Sequence, residues 1–356
     1  MATRATEVTL QLRPKSRVDL IDVSRRIVEE FGDRIARHRK ALYFSYHTTA
    51  GYLEERLCRR LEHDTQNVQA FLRSFQQIFP PNANYRHDQL ELREELSDSQ
   101  RVREPRNADA HLTFIGSGLT NCVTYSNQPA VPVYFIDLDG IHGNTARNRR
   151  TTVVGFDSER LVDEIRLSVP VSGHPIDSIN LKSPQLGLFE EIQDRARRLG
   201  VERGRVLISL DRSEQHAALT VNEFETLLMK HDLVEVLRNP LRFMAERGRH
   251  MLADPRAIPV KAKGYAKYDL VQLINEFLDV MGLNESMLEK LIHRFMAYPA
   301  ARFLRMKRSL NLLVTDPDDT GGGTIAEGTY QSPILVQWAK SPDHTRRLRA
   351  AIYRFD

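Results

Sequence analysis

Three histidines are the residues best suited to chemistry. His47 lies in Tyr46-His47-Thr48-Thr49-Ala50, His87 in Asn84-Tyr85-Arg86-His87-Asp88, and His111 in Asn107-Ala108-Asp109-Ala110-His111. Neutral imidazole is the commonest side-chain ligand for zinc and similar ions, and three such ligands leave a position open for water or substrate. The plain alternative is that each ring packs in the core or faces solvent, and for a histidine taken alone that alternative is stronger. Spacing does not separate the two readings, because the three lie 40 and 24 residues apart and share no short motif.

Groups suited to an anion lie nearby. Thr48 and Thr49 offer hydroxyls, and Gly116 and Ser117 of Gly116-Ser117-Gly118 either present backbone N–H groups to a phosphate or form a plain turn. Arg147, Arg149 and Arg150 carry guanidinium, which matches phosphate well. Asp137 and Asp139, just before Gly140-Ile141-His142-Gly143, could orient a histidine or act as a general base. Glu55 and Asp64 offer the same chemistry from a helix, where a surface role is equally open. His63 and His142 are read as bystanders.

The His47 segment has an echo 168 residues further on, in Glu214-Gln215-His216-Ala217-Ala218-Leu219. In that register Glu55 falls on Glu223, His63 on His231 and Asp64 on Asp232, whereas His47 falls on Gln215. Each half opens with an extended stretch, Val8 to Leu12 and Ile176 to Leu181. An amphipathic helix follows, ending at Gly32 or Gly200, where glycine tolerates the left-handed cap. A β-rich run comes next, 41–46 and 206–210, so the histidine motif sits at a strand end. Helices are expected from Glu54 through Phe79, stopped by Pro80-Pro81, and from Glu223 through Met244. Late strands are expected at His111 to Ile115, Val131 to Leu138 and Thr151 to Phe156, and at Leu310 to Val314, Ile334 to Trp338 and Arg349 to Phe355. The halves differ in their middles. The first inserts a charged stretch, Leu90 to Arg106, suited to a lid. The second inserts Asn239 to Gly264 and an amphipathic helix near Leu270 to Val280. Pro170, Gly173 and Pro175 mark the boundary, giving domains over 1–160 and 176–356 with a linker over 161–175.

Composition narrows the function classes. The chain has 356 residues, 41% hydrophobic and 28% charged, and is long enough for two ordinary globular domains. Its formal charge of +4 is not concentrated: residues 1–175 carry 24 Lys+Arg against 23 Asp+Glu, and residues 176–356 carry 27 against 24. That balance argues against a nucleic-acid binder. No apolar run approaches the length of a membrane span, and no secretory signal is evident. Cys58 and Cys122 stand singly, as buried thiols of a reducing compartment do. The expected location is the cytoplasm.

Taken together, the His-Thr-Thr-Ala strand end, Glu55 with His63-Asp64, Asn84-Tyr85-x-His87-Asp88, and Asn-Ala-Asp-Ala-His111 followed by Gly116 form an ordered set. That set, over most of residues 8–156, resembles the YjbQ-like family, small proteins known mainly for a secondary thiamin-phosphate-synthase activity. The resemblance implies an α+β fold in two copies, each a mixed or antiparallel, barrel-like sheet packed with helices. It implies that His47, His87 and His111 converge on one pocket holding a divalent metal, zinc, and that the substrate is a phosphorylated small molecule. It also implies a homo-oligomer, a trimer in the family's packing. The second copy resembles the family too, yet Gln215, Tyr268 and Arg302 stand where the three histidines do. It alone keeps the late Gly328-Thr329-Tyr330-Gln331 motif, which would complete the first copy's site if the two lie side by side. The competing reading is a non-catalytic protein that holds a metal or anion for assembly.

Overall fold

The structure is a computed structural model that describes residues 4–128, 130–238, 304–316 and 321–356. The first half holds strands β1 (Thr6–Leu12), β2 (Asp19–Asp22), β3 (Lys40–Ser45), β4 (Ala50–Gly51), β5 (Cys122–Ser126) and β6 (Tyr134–Asp137). It ends with a short hairpin, β7 (Ile141–His142) and β8 (Thr145–Ala146), and then β9 (Arg149–Phe156). Its helices are α1 (Val23–Phe31), α2 (Glu55–Arg60), α3 (Thr65–Ile78), α4 (Asp98–Arg101) and α5 (Ala108–Ser117). The second half supplies β10 (Glu159–Pro170), β11 (Asp177–Asn180), β12 (Gly204–Leu210), β13 (Ala217–Asn222), β14 (Ser309–Thr315), β15 (Thr324–Ile325), β16 (Ser332–Gln337) and β17 (Thr345–Phe355). Its helices are α6 (Leu188–Arg198) and α7 (Leu233–Arg238).

The fold is α+β, and every strand pairing among the described residues is antiparallel. The same wiring occurs twice. The first half has the orders β1-β9-β3-β5 and β2-β6-β4; the second has β10-β17-β12-β14-β15 and β11-β16-β13. The counterpart of β1 is therefore β10, and the stretch expected as a linker is mostly a strand. Its pattern was readable: Ile165, Leu167 and Val169 are buried while Arg166 and Ser168 point out, the two-residue period of a half-buried strand. The stretch at Ile176 to Leu181 pairs with β16 and corresponds to β2.

Local chemistry sets the helix ends. Asp22 caps α1 by accepting the Arg25 N–H, and Gly32, at φ 67°, ends it. Asp64 caps α3 through the Asn67 N–H, so the expected long helix is two, broken at the positive-φ pair Glu62 and His63. His111 to Ile115 is helix rather than strand. All ten residues of α5 are buried, so it shows no amphipathic period, and its apolar run reads like a core strand. The helix expected from Glu223 begins with a π-helical turn at Leu228–Asp232 before α7. The expected helix near Leu270 to Val280, and the positions Tyr268 and Arg302, lie outside the described residues.

The two halves share their interior. Leu228, Met229, Leu233 and Val236 of the second half join the core built on Phe71, Phe75, Phe114 and Phe135 of the first. A second joint cluster sets Leu42, Phe44 and Val154 against Leu313 and Ala326. In it Phe156 stacks on Phe355 with ring centroids 4.0 Å apart. Each such side chain contributes roughly 1.5–3 kcal/mol on burial, so the contact between the halves is a core and not a loose docking. Cys58 and Cys122 are free and buried.

Candidate functional site

His47 follows β3, and its surroundings decide its protonation. Its Nε2 accepts the Arg150 backbone N–H at 2.8 Å, so the neutral ring carries its proton on Nδ1. Burial, reinforced by Arg149, Arg150 and Arg147, pushes its pKa down to about 3. Arg150 itself lies over the Tyr46 ring, 3.7 Å from the centroid. Behind His47, Arg149 makes a two-pronged pair with fully buried Asp137, through Nε at 2.6 Å and Nη2 at 2.7 Å. Arg149 Nη2 also donates to the Thr49 hydroxyl and to the Asp139 carbonyl. Arg147 donates to the Asp139 carboxylate at 2.6 Å, and its Nε is buried without a hydrogen-bond partner among the described residues.

His111 projects from α5, and a residue of the second half sets its tautomer. Asn222 on β13 donates its amide N–H to the Thr48 carbonyl at 3.1 Å. Its Oδ1 accepts the Glu223 N–H and, at 2.7 Å, His111 Nδ1. With Nδ1–H committed, His111 Nε2 keeps a free lone pair among the described residues; Glu223 Oε2 is 3.6 Å away, too far for a hydrogen bond. Burial first, then the charge on His87, holds His111 well below the ordinary imidazole range. Glu223 is shifted up, mainly by burial.

His87 is different. Its Nδ1 lies 3.0 Å from Glu225 and its Nε2 3.3 Å from the Asn107 side-chain oxygen, so two acceptors flank the ring. Burial is the largest single influence and opposes its charge, but the Glu225 hydrogen bond together with the charges of Glu223 and Glu225 raises the pKa. The His87 ring and the Glu225 carboxylate are thus a buried hydrogen-bonded pair, the ring fully and the carboxylate almost fully within the protein. The loop carrying His87 is held by Asp232, which accepts the Arg86 and His87 N–H groups at 2.9 Å each. Asp232→Ala leaves the buried His87 N–H unpaired and removes the acceptor of the part-buried Arg86 N–H, and is expected to lower stability by about 1–3 kcal/mol, read by urea unfolding. An unchanged midpoint would mean the loop holds itself.

These residues border a pocket of about 370 Å³, where His47, Thr48, Thr49, Arg147 and His111 meet Glu223 and Tyr330. A second cavity, of about 570 Å³, adjoins it and shares Arg103, Glu104, Glu223 and Tyr330. Arg93, almost fully buried, lines the second cavity and is held by Glu95, Glu104 and Glu223. The charged stretch 90–106 therefore forms part of the wall. Residues of the second half border the same pocket. Gln331 donates to the Ser45 and His47 carbonyls at 2.7 and 3.1 Å, and Tyr330 stands exposed at the mouth. Gly328 lies so close to the Tyr46 carbonyl that a Cβ there would collide with backbone.

Some expected site residues lie elsewhere. Glu55 is paired with Arg59 on the surface of α2, and Asp64 is spent capping α3. Gly116 and Ser117 are interior to α5 and buried, so they form neither an anion loop nor a plain turn. His87 is absent from the pocket lining, although its ring is 5.2 Å from that of His111. The three histidines do not fit one metal ion in this arrangement. His47 Nε2 is occupied by a backbone N–H beside three arginines, and both His87 nitrogens face protein acceptors. Among the described residues no three His, Cys, Asp or Glu side chains gather as metal ligands. Asn107, Asn222, Glu223, Glu225, Asp232 and Arg93 were not expected as site residues. Glu223 was visible in the echo as the counterpart of Glu55, but nothing local placed it or its neighbour Asn222 against His111.

The echo itself needs correcting at its key position. Ala50 pairs with Asp137, and Ala217 with Gln337. Just as Arg150 N–H donates to His47, Arg347 N–H donates to Glu214, at 2.9 Å. Glu214, not Gln215, takes the place of His47. The Tyr46 N–H bonds the Arg150 carbonyl and the Asp211 N–H the Arg347 carbonyl, so the second-half turn holds two more residues before its next strand. A fixed register cannot follow such a turn.

No family model matches the chain, and no curated protein matches it. Among solved structures it is similar to a YbjQ-like protein of unknown function from Sulfolobus solfataricus P2, at 16% identity over 55% of this chain and 99% of that one, TM-score 0.29. It is similar to a hypothetical protein from Aeropyrum pernix K1, at 16% identity over 54% and 98%, TM-score 0.29. It is also similar to an uncharacterized conserved protein of the yjbq family from Clostridium acetobutylicum, at 13% identity over 53% and 98%, TM-score 0.27. Among the described residues no helix is long and apolar enough to cross a membrane.

Proposed function

We propose that the protein binds a phosphorylated small molecule in the pocket between its two halves and moves a proton on it through His111. The observation that carries this reading is the buried His111 Nε2, left with a free lone pair by the Asn222 bond, in one pocket with Arg147 and the Thr48 hydroxyl. A ring fixed in one tautomer is prepared to accept a proton from a bound hydroxyl or water. Glu223, 3.6 Å from Nε2, would stabilise the imidazolium that forms. Arg147 and Thr48 would receive the phosphate, since guanidinium and hydroxyl both donate to its oxygens. No step is assigned to a metal, because the histidines do not fit one. The repeated strand order and the Arg149 and Arg346 networks support a further proposal, that the halves are two copies of one unit.

A thermal-shift screen of phosphorylated metabolites, thiamin-phosphate precursors among them, followed by turnover assays on those that bind, tests the reading. His111→Gln is expected to keep binding and to lower turnover by about 10²–10⁴-fold, the usual contribution of a general base. Binding without turnover would favour the non-catalytic anion-holding role. A complete lack of stabilisation by phosphorylated compounds would remove the reading.

A further inference from the structure

Arg149 and Arg346 occupy the same place in the two halves. Each is two residues before the β-partner of its strand end: Thr151 pairs with Ser45, and Leu348 with Leu210. Each sends Nη2 to a carbonyl, Asp139 at 2.8 Å and Ala339 at 2.6 Å. Each sends Nε to the side chain two residues earlier, Asp137 at 2.6 Å and Gln337 at 3.2 Å. Both arginines are buried, so each needs a counter-charge.

The source of that counter-charge differs. In the first half it is Asp137, on a strand, and the neighbouring backbone N–H goes to neutral His47. In the second half the strand offers neutral Gln337. The carboxylate comes instead from the strand-end turn, as Glu214, bonded to Arg346 Nη1 at 3.0 Å and to the Arg347 N–H at 2.9 Å. One carboxylate per arginine is kept, but it has moved from strand to turn. We propose that Asp137 is a positioning residue for His47. By balancing Arg149 from the strand, it leaves the turn position to an uncharged imidazole that faces the ligand. The second half is the locked form of the same cradle, filled by the chain's own Glu214. Only the ligand-facing role of His47 rests on the function proposed above; the exchange of carboxylates does not.

The test is a double-mutant cycle on the full chain, with urea unfolding and inorganic phosphate binding as readouts. His47→Glu and Asp137→Gln are each expected to destabilise, the first by crowding two carboxylates on one arginine and the second by leaving Arg149 unbalanced. Together they should recover most of the loss, while phosphate affinity falls by roughly tenfold or more because the turn now carries an anion. If either single variant fails to fold, the reciprocal pair Glu214→His and Gln337→Asp gives the same cycle in the second half. Additive losses in the cycle that can be measured would overturn the exchange. Recovered stability with unchanged phosphate affinity would overturn the positioning role. If the wild-type protein binds no phosphate, the function reading fails separately. The positioning role is then read from the ¹⁵N spectrum of His47, expected as the neutral Nδ1–H form in wild type and perturbed in Asp137→Asn. An identical spectrum in the variant would overturn it.

Discussion

Replacing Arg149 with alanine is expected to lower stability by about 3–5 kcal/mol, the usual cost of stranding one member of a buried ion pair. Asp137 is wholly buried and takes two of the guanidinium's hydrogen bonds, with no other cation bonded to it among the described residues. The Asp139 carbonyl and the Thr49 hydroxyl lose a donor as well. Arg149→Lys should recover little, because an ammonium cannot meet a carboxylate in two parallel bonds while reaching the carbonyl. Arg346→Ala should behave similarly, since it strands Glu214 and the Ala339 carbonyl. Urea unfolding at neutral pH measures all three. A loss below 1 kcal/mol for Arg149→Ala would mean that Asp137 is neutral in the folded protein and that the pair carries little.

Acid should destabilise the protein over a window set by two histidines. His47 is held down to about 3 and His111 well below its ordinary value, in both cases chiefly by burial. An unfolded histidine titrates near 6.5, so below that pH the unfolded chain binds protons that these rings refuse. Their contribution is complete above about pH 6.5 and is lost as the pH falls toward the folded values, at about 1.4 kcal/mol per pH unit for each proton. His87 works in the opposite direction. Its pKa is raised, so its contribution is complete below about pH 6.5 and fades as the pH rises through the folded value. Below about pH 6.5 His87 is protonated in both states and adds no slope, so the two lowered rings leave a slope of about two protons there. Unfolding midpoints should fall accordingly from about pH 6.5 to about pH 4.5, and His47→Gln should flatten the profile because the amide oxygen keeps the Arg150 bond without titrating. Parallel profiles for wild type and His47→Gln would show that His47 is open to protonation in the fold.

Much of the first wall of the pocket was legible in the sequence. His47 to Thr49, His111, and Arg147 to Arg149 lie at or near element ends, where side chain type and local pattern carry the information. The second wall was not legible, because its contacts are long-range. Asn222 meets His111, Glu225 meets His87 and Asp232 holds the His87 loop, each from the other half of the chain. Where local reading failed, it failed for definite reasons. The α5 run is buried on every side and has no period to betray a helix. The Pro170 and Pro175 signals drew attention to a boundary, although the alternation of Ile165, Leu167 and Val169 already described a strand.

The Asn222 bridge between the Thr48 carbonyl and His111 has a consequence for how such a site can change over time. In an assembly of identical subunits, every copy must carry both walls, so a substitution that improves one wall is imposed wherever that surface occurs. Here the two walls are different residues of one polypeptide. Each can drift alone, and dilution cannot part them, because a covalent tether keeps the second wall at an effective concentration on the order of millimolar or higher. Glu214 can close one cradle without closing the other.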